Sequence, residues 1–566
     1  MRETKILEFK ETIADTLNLS SNKTERYEII RFSENERINL FLFAIVGCIV
    51  YFYTLSGNTP NPDAVWEGIY YKTAWETEVS LGRFFIPVLQ KVFNGTIYAP
   101  LLTFLGIIHY CLIGCLINRI FQIRTHFWNA FIHAVILLAP STWCTLTYYY
   151  CGYFYSLSYL AVVFSFYLMI KRCPTNQWKE TAAQICIASG LILLSLSIYQ
   201  AYLPVFITIG IFFLAHRCLL GDSVRRILCF AMKMIAILVL GTGTYLIVNH
   251  IVLKGMGIQS NISRGFNTMG QLELSEIPSQ IESCFLYCSE YFLGNDFINN
   301  SYGWIRRRYI NLIFFGVLLI VILMIMAFHK NQKRKLLLCF LACLTPIALM
   351  SITIAAPKVS VKSTTGCIML PTMCYGYVIL PVLLKNNLFF STSDIRRISG
   401  WIPRNIIKGA VIACRCSCIL VIGLLIGLAI DGQVYMNLRT IKTYAVASQI
   451  INKLEEMNHG SFENKVVMIV GTMENGNYPE EYPALAGSVH WTTAQYGTLW
   501  PDYGAQVPWR NFAMQYLGTG WQVIDDYNDY VAVRDTDEFQ RMSFFPDDDS
   551  VQEINNVIVV KLSNEE

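Results

Sequence analysis

Four carboxylates and an arginine crowd one short polar stretch, TPNPDAVWEGIYYKTAWETEVSLGRFF, at residues 59–85. They are Asp63, Glu67, Glu76, Glu78 and Arg83, the last preceded by Gly82. A carboxylate takes the proton of an attacking hydroxyl, and a guanidinium grips an anion through two parallel hydrogen bonds. The stretch directly follows a long apolar run, and ionisable groups beside lipid are costly and kept mostly for function. Plainer roles compete. Asn61-Pro62-Asp63 is a turn and helix-start signature in which Asp63 can serve as the cap. Trp66, Tyr70, Tyr71 and Trp75 suit the headgroup level of a membrane. Arg83 can simply snorkel to the interface.

The elements around this stretch are membrane helices. The 566-residue chain is 54% apolar and 15% charged, well below the roughly 25% charged residues of a soluble domain. Spans of roughly 20 apolar residues are expected at 39–56, 98–118, 127–142, 147–170, 181–198, 201–216, 227–252, 309–328, 336–356, 366–384 and 409–430. The fold class expected is a polytopic α-helical membrane protein of about eleven spans with a C-terminal soluble α/β extracytoplasmic domain. Lys and Arg gather at the N-terminus and in alternate loops, whereas 141–147 and 199–202 have none. The positive-inside rule then sets residues 1–38 in the cytoplasm and the C-terminus outside. The domains expected are this N-terminal segment, a membrane domain over 39–433 with outer loops 57–97 and 254–308, and an extracytoplasmic α/β domain over 434–566. Residues 437–566 hold 8 Lys/Arg against 19 Asp/Glu. Within them KVVMIVGTM and NNVIVVKL have the apolar pattern of buried strands. TYAVASQIINKLEEM has that of an amphipathic helix. The first 40 residues are too polar for a cleavable signal, so the first span is expected to remain as an anchor.

The 18 cysteines lie almost all in or beside apolar runs and have the character of small buried hydrophobes. Cys284 and Cys288, four apart, are expected on one helix face. Gly241-Thr242-Gly243 falls within a span and suits close helix packing. The acidic runs Asp525-Asp526 and Asp547-Asp548-Asp549 lack the spacing of a calcium loop and are expected as solvated turns. No metal, no cofactor and no nucleic-acid partner is expected, since no ligand spacing and no soluble basic domain is present.

The order Asp63, Gly68, Trp75, Gly82-Arg83 resembles the first outer loop of the serotype-converting, O-antigen-modifying (Gtr-type) glucosyltransferases, a branch of the polytopic GT-C superfamily. SIYQAY at 197–202 resembles the tyrosine–glutamine segment of that family, and FFPDDDSVQEINNVIVVKL at 544–562 resembles the ending of its Gram-positive members. Family members often show two adjacent acidic residues, where this chain has Pro62 before a single Asp63. The resemblance implies an inverting transfer of a hexose, glucose foremost, from a polyprenyl-phosphate carrier to a cell-surface glycan or its lipid-linked precursor, outside a bacterial membrane. Asp63 is then the candidate general base, with Glu67 or Glu76 as substitutes. Arg83, Arg264, Lys358 and Lys362 are candidates to hold the sugar phosphate, as is the run Arg306-Arg307-Arg308. Trp75, Tyr199 and Gln200 are candidates to contact the sugar, and Tyr148, Tyr149, Tyr150, Tyr153 and Tyr155 offer faces on which it could stack. Implied partners are membrane lipid, the lipid-linked donor, the glycan acceptor, a donor-synthesising glycosyltransferase and a small flippase. Two other classes fit the same layout: a flippase or transporter of lipid-linked sugars, and a surface polysaccharide polymerase or ligase.

Overall fold

Apolar runs bounded by charge and proline become helices where no breaker interrupts them. The computed structural model describes residues 32–68, 75–171, 178–261, 268–269, 271–294, 307–328, 332–359, 361, 366–384, 404–457, 462–473 and 503–564. Helix α1 (Glu34–Val50) starts with a capping box: the Ser33 amide donates to the Glu36 carboxylate at 2.8 Å, and Ser33 Oγ accepts from the Glu36 amide at 3.4 Å. After it come α2 (Pro62–Glu67), α3 (Trp75–Ser80), α4 (Ile86–Val92) and the long α5 (Ala99–Ile120). Glu36 grips Arg119 at the far end of α5 in a two-pronged ion pair, which fixes α1 against α5 at the end remote from residues 57–97.

The helical body continues with α6 (His126–Leu138), α7 (Pro140–Leu146), α8 (Gly152–Ile170), α9 (Trp178–Leu196), α10 (Leu203–Leu219) and α11 (Val224–Met256). It is completed by α12 (Ile277–Leu293), α13 (Arg307–Phe328), α14 (Gln332–Leu349), α15 (Tyr375–Leu384) and α16 (Arg404–Met457). Among the described residues seven helices are long and apolar enough to cross a membrane, or eight if α6 and α7 form one span bent by 48°. Seven or eight of the eleven expected spans are therefore such helices, and the others are short or interrupted. Pro140 breaks the 127–142 run. Helix α1 has only 17 residues. Helix α14 begins with Lys333, Arg334 and Lys335 and contains Pro346. The 366–384 run splits into two short 3-10 turns and the ten-residue α15. Gly241 lets α11 approach α9 closely, since a Cβ there would meet Ile192 at 2.7 Å. Cys284 and Cys288 share the buried face of α12, with Cys284 against Met350 and Thr353 and Cys288 against Pro346.

Helix α16 runs for 54 residues, about 80 Å at 1.5 Å per residue. Its last turns leave the apolar body and join a four-stranded sheet. The strands are β1 (Val466–Val470), β2 (Gln522–Val523), β3 (Val551–Ile554) and β4 (Val557–Lys561), in the order β2-β1-β4-β3. Strands β2 and β4 lie parallel to β1, and β3 lies antiparallel to β4. Asn555 and Asn556 join β3 to β4 with φ of 51° and 63°, the geometry a two-residue hairpin turn requires. One sheet face packs on the end of α16 and on α17 (Gln506–Tyr516). The other packs on α18 (Tyr527–Arg534) and α19 (Asp537–Arg541). Trp509 and Trp521 are buried in the first of these cores. Asp526 caps α18, and Asp548 is fully exposed beside Lys453. The buried Lys561 ammonium donates to the carbonyls of Phe539, Gln540 and Met542 where α19 ends.

Candidate functional site

Among its described residues the polar stretch holds two short helices, α2 and α3, with α4 directly after it. Asn61 is the N-cap of α2, its Oδ1 accepting from the Ala64 amide at 2.8 Å, with Pro62 as the first helical residue. The capping role considered for Asp63 therefore belongs to Asn61, and Asp63 sits half-buried in the first turn. Glu67 closes α2 and is 3% exposed. Trp66 projects with 43% exposure. Trp75 opens α3, and its side chain lies outside the described residues.

Glu76 is exposed, whereas Glu78, two residues on, is buried. Glu78 is the carboxylate that sequence reasoning left out of the candidate set. Its Oε2 pairs with an Arg83 terminal nitrogen at 3.5 Å, and the Arg83 amide donates to the Glu78 carbonyl at 2.8 Å. Gly82, at φ +77°, makes the turn that permits this. The pairing is five residues apart in a turn, so no helical spacing announces it.

Arg83 does not snorkel. It is 3% exposed, donates to the Tyr155 hydroxyl at 2.8 Å, and has its guanidinium 5.0 Å from the centre of the Tyr199 ring. Burial alone opposes the charge, but the Tyr155 hydroxyl and the Glu78 carboxylate outweigh it and push the guanidinium pKa well above its ordinary value. Tyr155 and Tyr199 stack with centroids 4.1 Å apart. The expected tyrosine platform is thus scaffolding: Tyr148, Tyr149, Tyr150 and Tyr155 are all buried. Tyr149 accepts from the Thr59 amide at 3.0 Å, and the Tyr150 carbonyl accepts from Gln90. The loop between α7 and α8 therefore clamps the polar stretch from both sides. Burial raises the Tyr150 phenol pKa well above its usual range, with Asp63 and Glu78 contributing to the rise. One phenol thus lies within electrostatic reach of both carboxylates.

Gln200, 2% exposed, donates to the Leu81 carbonyl at 2.7 Å and to the Tyr245 hydroxyl at 2.8 Å. Tyr245 in turn donates to the Gly82 carbonyl at 3.1 Å. The structure thereby brings Arg83, Tyr199 and Gln200 together. Lys358 is exposed, with its amide on Thr268 Oγ1 at 3.4 Å. Arg264, Lys362 and Arg306 lie outside the described residues.

A second contact set reaches α2 from the distant end of the chain. Asn511 of α17 donates through Nδ2 to the carbonyls of Val65, at 3.2 Å, and Trp66, at 2.5 Å. The Tyr516 hydroxyl donates to the Gly57 carbonyl at 3.0 Å. Val65 itself belongs to the core of the C-terminal sheet. Sequence reasoning missed Asn511, and nothing local in the chain points to it.

This is a helical membrane protein with seven candidate spans among the described residues, whose polar residues, drawn from the first loop, the α7–α8 loop, the α9–α10 turn and α11, meet at one end of the bundle. The chain belongs to the glucosyl transferase GtrII family, which it matches over residues 39–408. It is accordingly a membrane glycosyltransferase. No curated protein and no solved structure matches the chain significantly.

Proposed function

We propose that the protein moves a hexose, glucose foremost, from a polyprenyl-phosphate carrier to a cell-surface polysaccharide or its lipid-linked precursor. The reaction takes place on the outer face of the cell membrane and inverts the anomeric centre. The N-terminus then lies in the cytoplasm and residues 434–566 lie outside. Family membership supports the glucosyl transfer. The observation that carries the mechanism is the assignment of the α2 cap to Asn61, which relieves Asp63 of that structural duty at the rim of the polar site.

In this reading Asp63 takes the proton of the acceptor hydroxyl as its oxygen bonds to C1 of the sugar. The C1–O bond to phosphate breaks, and its electron pair leaves with the polyprenyl phosphate. The transition state has oxocarbenium character. Buried Glu67 is the alternative base, and exposed Glu76 is the weakest of the three because bulk water surrounds it. Arg83, fixed by Glu78 and Tyr155, supplies positive potential for the leaving phosphate. Lys358, with Arg264 and Lys362, completes the cation set. Exposed Trp66 faces the acceptor side, Trp75 is a further candidate to contact the sugar, and the C-terminal sheet bears on acceptor selection through its hold on α2.

The test uses purified full-length protein in lipid with a panel of polyprenyl-phosphate sugars and cell-envelope acceptors. Transfer by the wild type, lost by more than about a hundredfold in Asp63→Asn, supports the reading. Unchanged turnover in Asp63→Ala removes Asp63 from the mechanism. Transfer of whole oligosaccharides from a diphosphate carrier would assign the protein to the polymerases instead.

A further inference from the structure

Behind Gly82 lies a polar pocket of about 430 Å³, counted with its open mouth, lined by Gln200, Tyr245, Asn249, Ser260 and Asn261. Its wall is tied to the first loop by the Asn261 amide, which donates to the Ser80 carbonyl at 2.9 Å. Glycine is required at its floor. A Cβ on Gly82 would stand 2.4 Å from the Tyr245 hydroxyl and 2.8 Å from Gln200 Nε2.

Two acceptors here are buried and unmatched. Gln200 Oε1 and Asn249 Oδ1 have no hydrogen-bond partner among the described residues. The Gln200 amide cannot simply turn over, because its Nε2 already serves the Leu81 carbonyl and the Tyr245 hydroxyl. Buried polar atoms are almost always paired, so this pocket is shaped for a ligand that brings donors. An anion is a poor fit, since it would bring only further acceptors. A cation is a poor fit too, since no carboxylate lines the pocket and the Arg83 charge adjoins Gly82. A neutral polyhydroxylated ligand remains.

We propose that this pocket binds hydroxyl groups of the donor hexose, with Gln200 Oε1 and Asn249 Oδ1 accepting from them, and so selects the sugar. The proposal rests on the transfer reaction above and deepens it. Asn249, from the outer turns of α11, thereby joins Tyr245 in the site. Arg83 next door places the anomeric phosphate on the adjoining side, so that the pocket holds the part of the ring remote from C1.

The experiment compares wild type and Asn249→Ala, full-length and in lipid nanodiscs. The donors are polyprenyl-phosphate glucose and its analogues lacking one hydroxyl each. Asn249→Ala should raise the donor KM about tenfold, the loss of one good hydrogen bond, with kcat within about twofold. One deoxy donor should lose about tenfold on the wild type and lose nothing further on the variant. Equilibrium binding of the donor should fall by the same factor. Equal penalties for every donor would mean that Asn249 only supports the fold, and an unchanged KM would mean that the pocket holds only water; either result overturns the proposal. If the wild type transfers no sugar from any polyprenyl-phosphate donor, the reaction itself is wrong, and the ligand assigned here falls with it.

Discussion

Replacing Asn511 with leucine should slow transfer without unfolding the protein. Helix α2 has six residues, far too few to hold its shape alone. Its last carbonyls, those of Val65 and Trp66, depend on the Asn511 amide at 3.2 and 2.5 Å, and Asn511 is 3% exposed. Leucine fills the volume but leaves two carbonyls facing an apolar side chain. Each such buried, unmatched group costs about 1–3 kcal/mol. The helix can escape part of that cost by shifting, which carries Asp63 away from the acceptor. About 2 kcal/mol of the penalty should therefore appear in the transition state, a fall of roughly 30-fold in kcat. Asn511→Asp, with the same shape and no donor, should be as slow, whereas Asn511→Gln should recover part of the rate. The assay is steady-state transfer in lipid, with kcat and the donor KM measured separately beside a thermal unfolding scan. Wild-type kcat in Asn511→Leu would refute the reasoning, as would a rate loss that merely follows the fraction of folded protein.

Glu78→Gln should destabilise the protein by about 3–5 kcal/mol, the cost of a buried guanidinium left without its counter-charge, since both partners are under 5% exposed; a thermal shift measures it. Gly82→Ala should cut transfer at least tenfold, because the residue sits at φ +77° and its Cβ would strike Tyr245 and Gln200; the specific activity of folded protein reads this. Lys561→Met should cost about 2–4 kcal/mol by stranding three backbone carbonyls, seen as a lower denaturant midpoint for the tryptophans of the C-terminal sheet, with the helical bundle little changed.

Composition reveals the helical bundle because a span must be long and apolar, and both properties are local. Hydropathy does not register the continuity of a helix. Pro140 and Pro371 interrupt runs that remain apolar throughout. Pro62 carried a usable signal that was passed over. Proline favours the first helical position, which sets the register of α2 and makes Asn61 the cap. Arg83 and Gln200 are singled out as candidates in the sequence. Glu78 is not, because a glycine turn rather than a helix brings it to Arg83. Asn249 looks from sequence like an ordinary polar residue near a helix end, and only the approach of Gly82 shows what it faces. The tyrosines were misjudged in the opposite sense. Their number suggests faces on which a sugar could stack, but the hydroxyls of buried Tyr149 and Tyr155 bind the first loop and the Tyr155 ring is covered by Tyr199.

The family match ends at residue 408, yet the loop that bears Asp63 is held from beyond that point at three successive places. Gln433 of α16 accepts from the Thr54 amide and hydroxyl at 3.1 and 2.8 Å. Tyr516 binds the Gly57 carbonyl, and Asn511 binds those of Val65 and Trp66. Between them Val65 inserts its side chain into the C-terminal core. These contacts are spread along the stretch from 54 to 66 and fall on backbone groups, the Thr54 hydroxyl and one apolar side chain. They therefore fix where the chain runs around Asp63. Backbone positioning of this kind makes the orientation of α2 a property of both halves of the molecule. Any change in how the C-terminal sheet sits must then move Asp63 relative to Arg83, whose own anchors, Glu78, Tyr155 and Tyr199, all belong to the helical body.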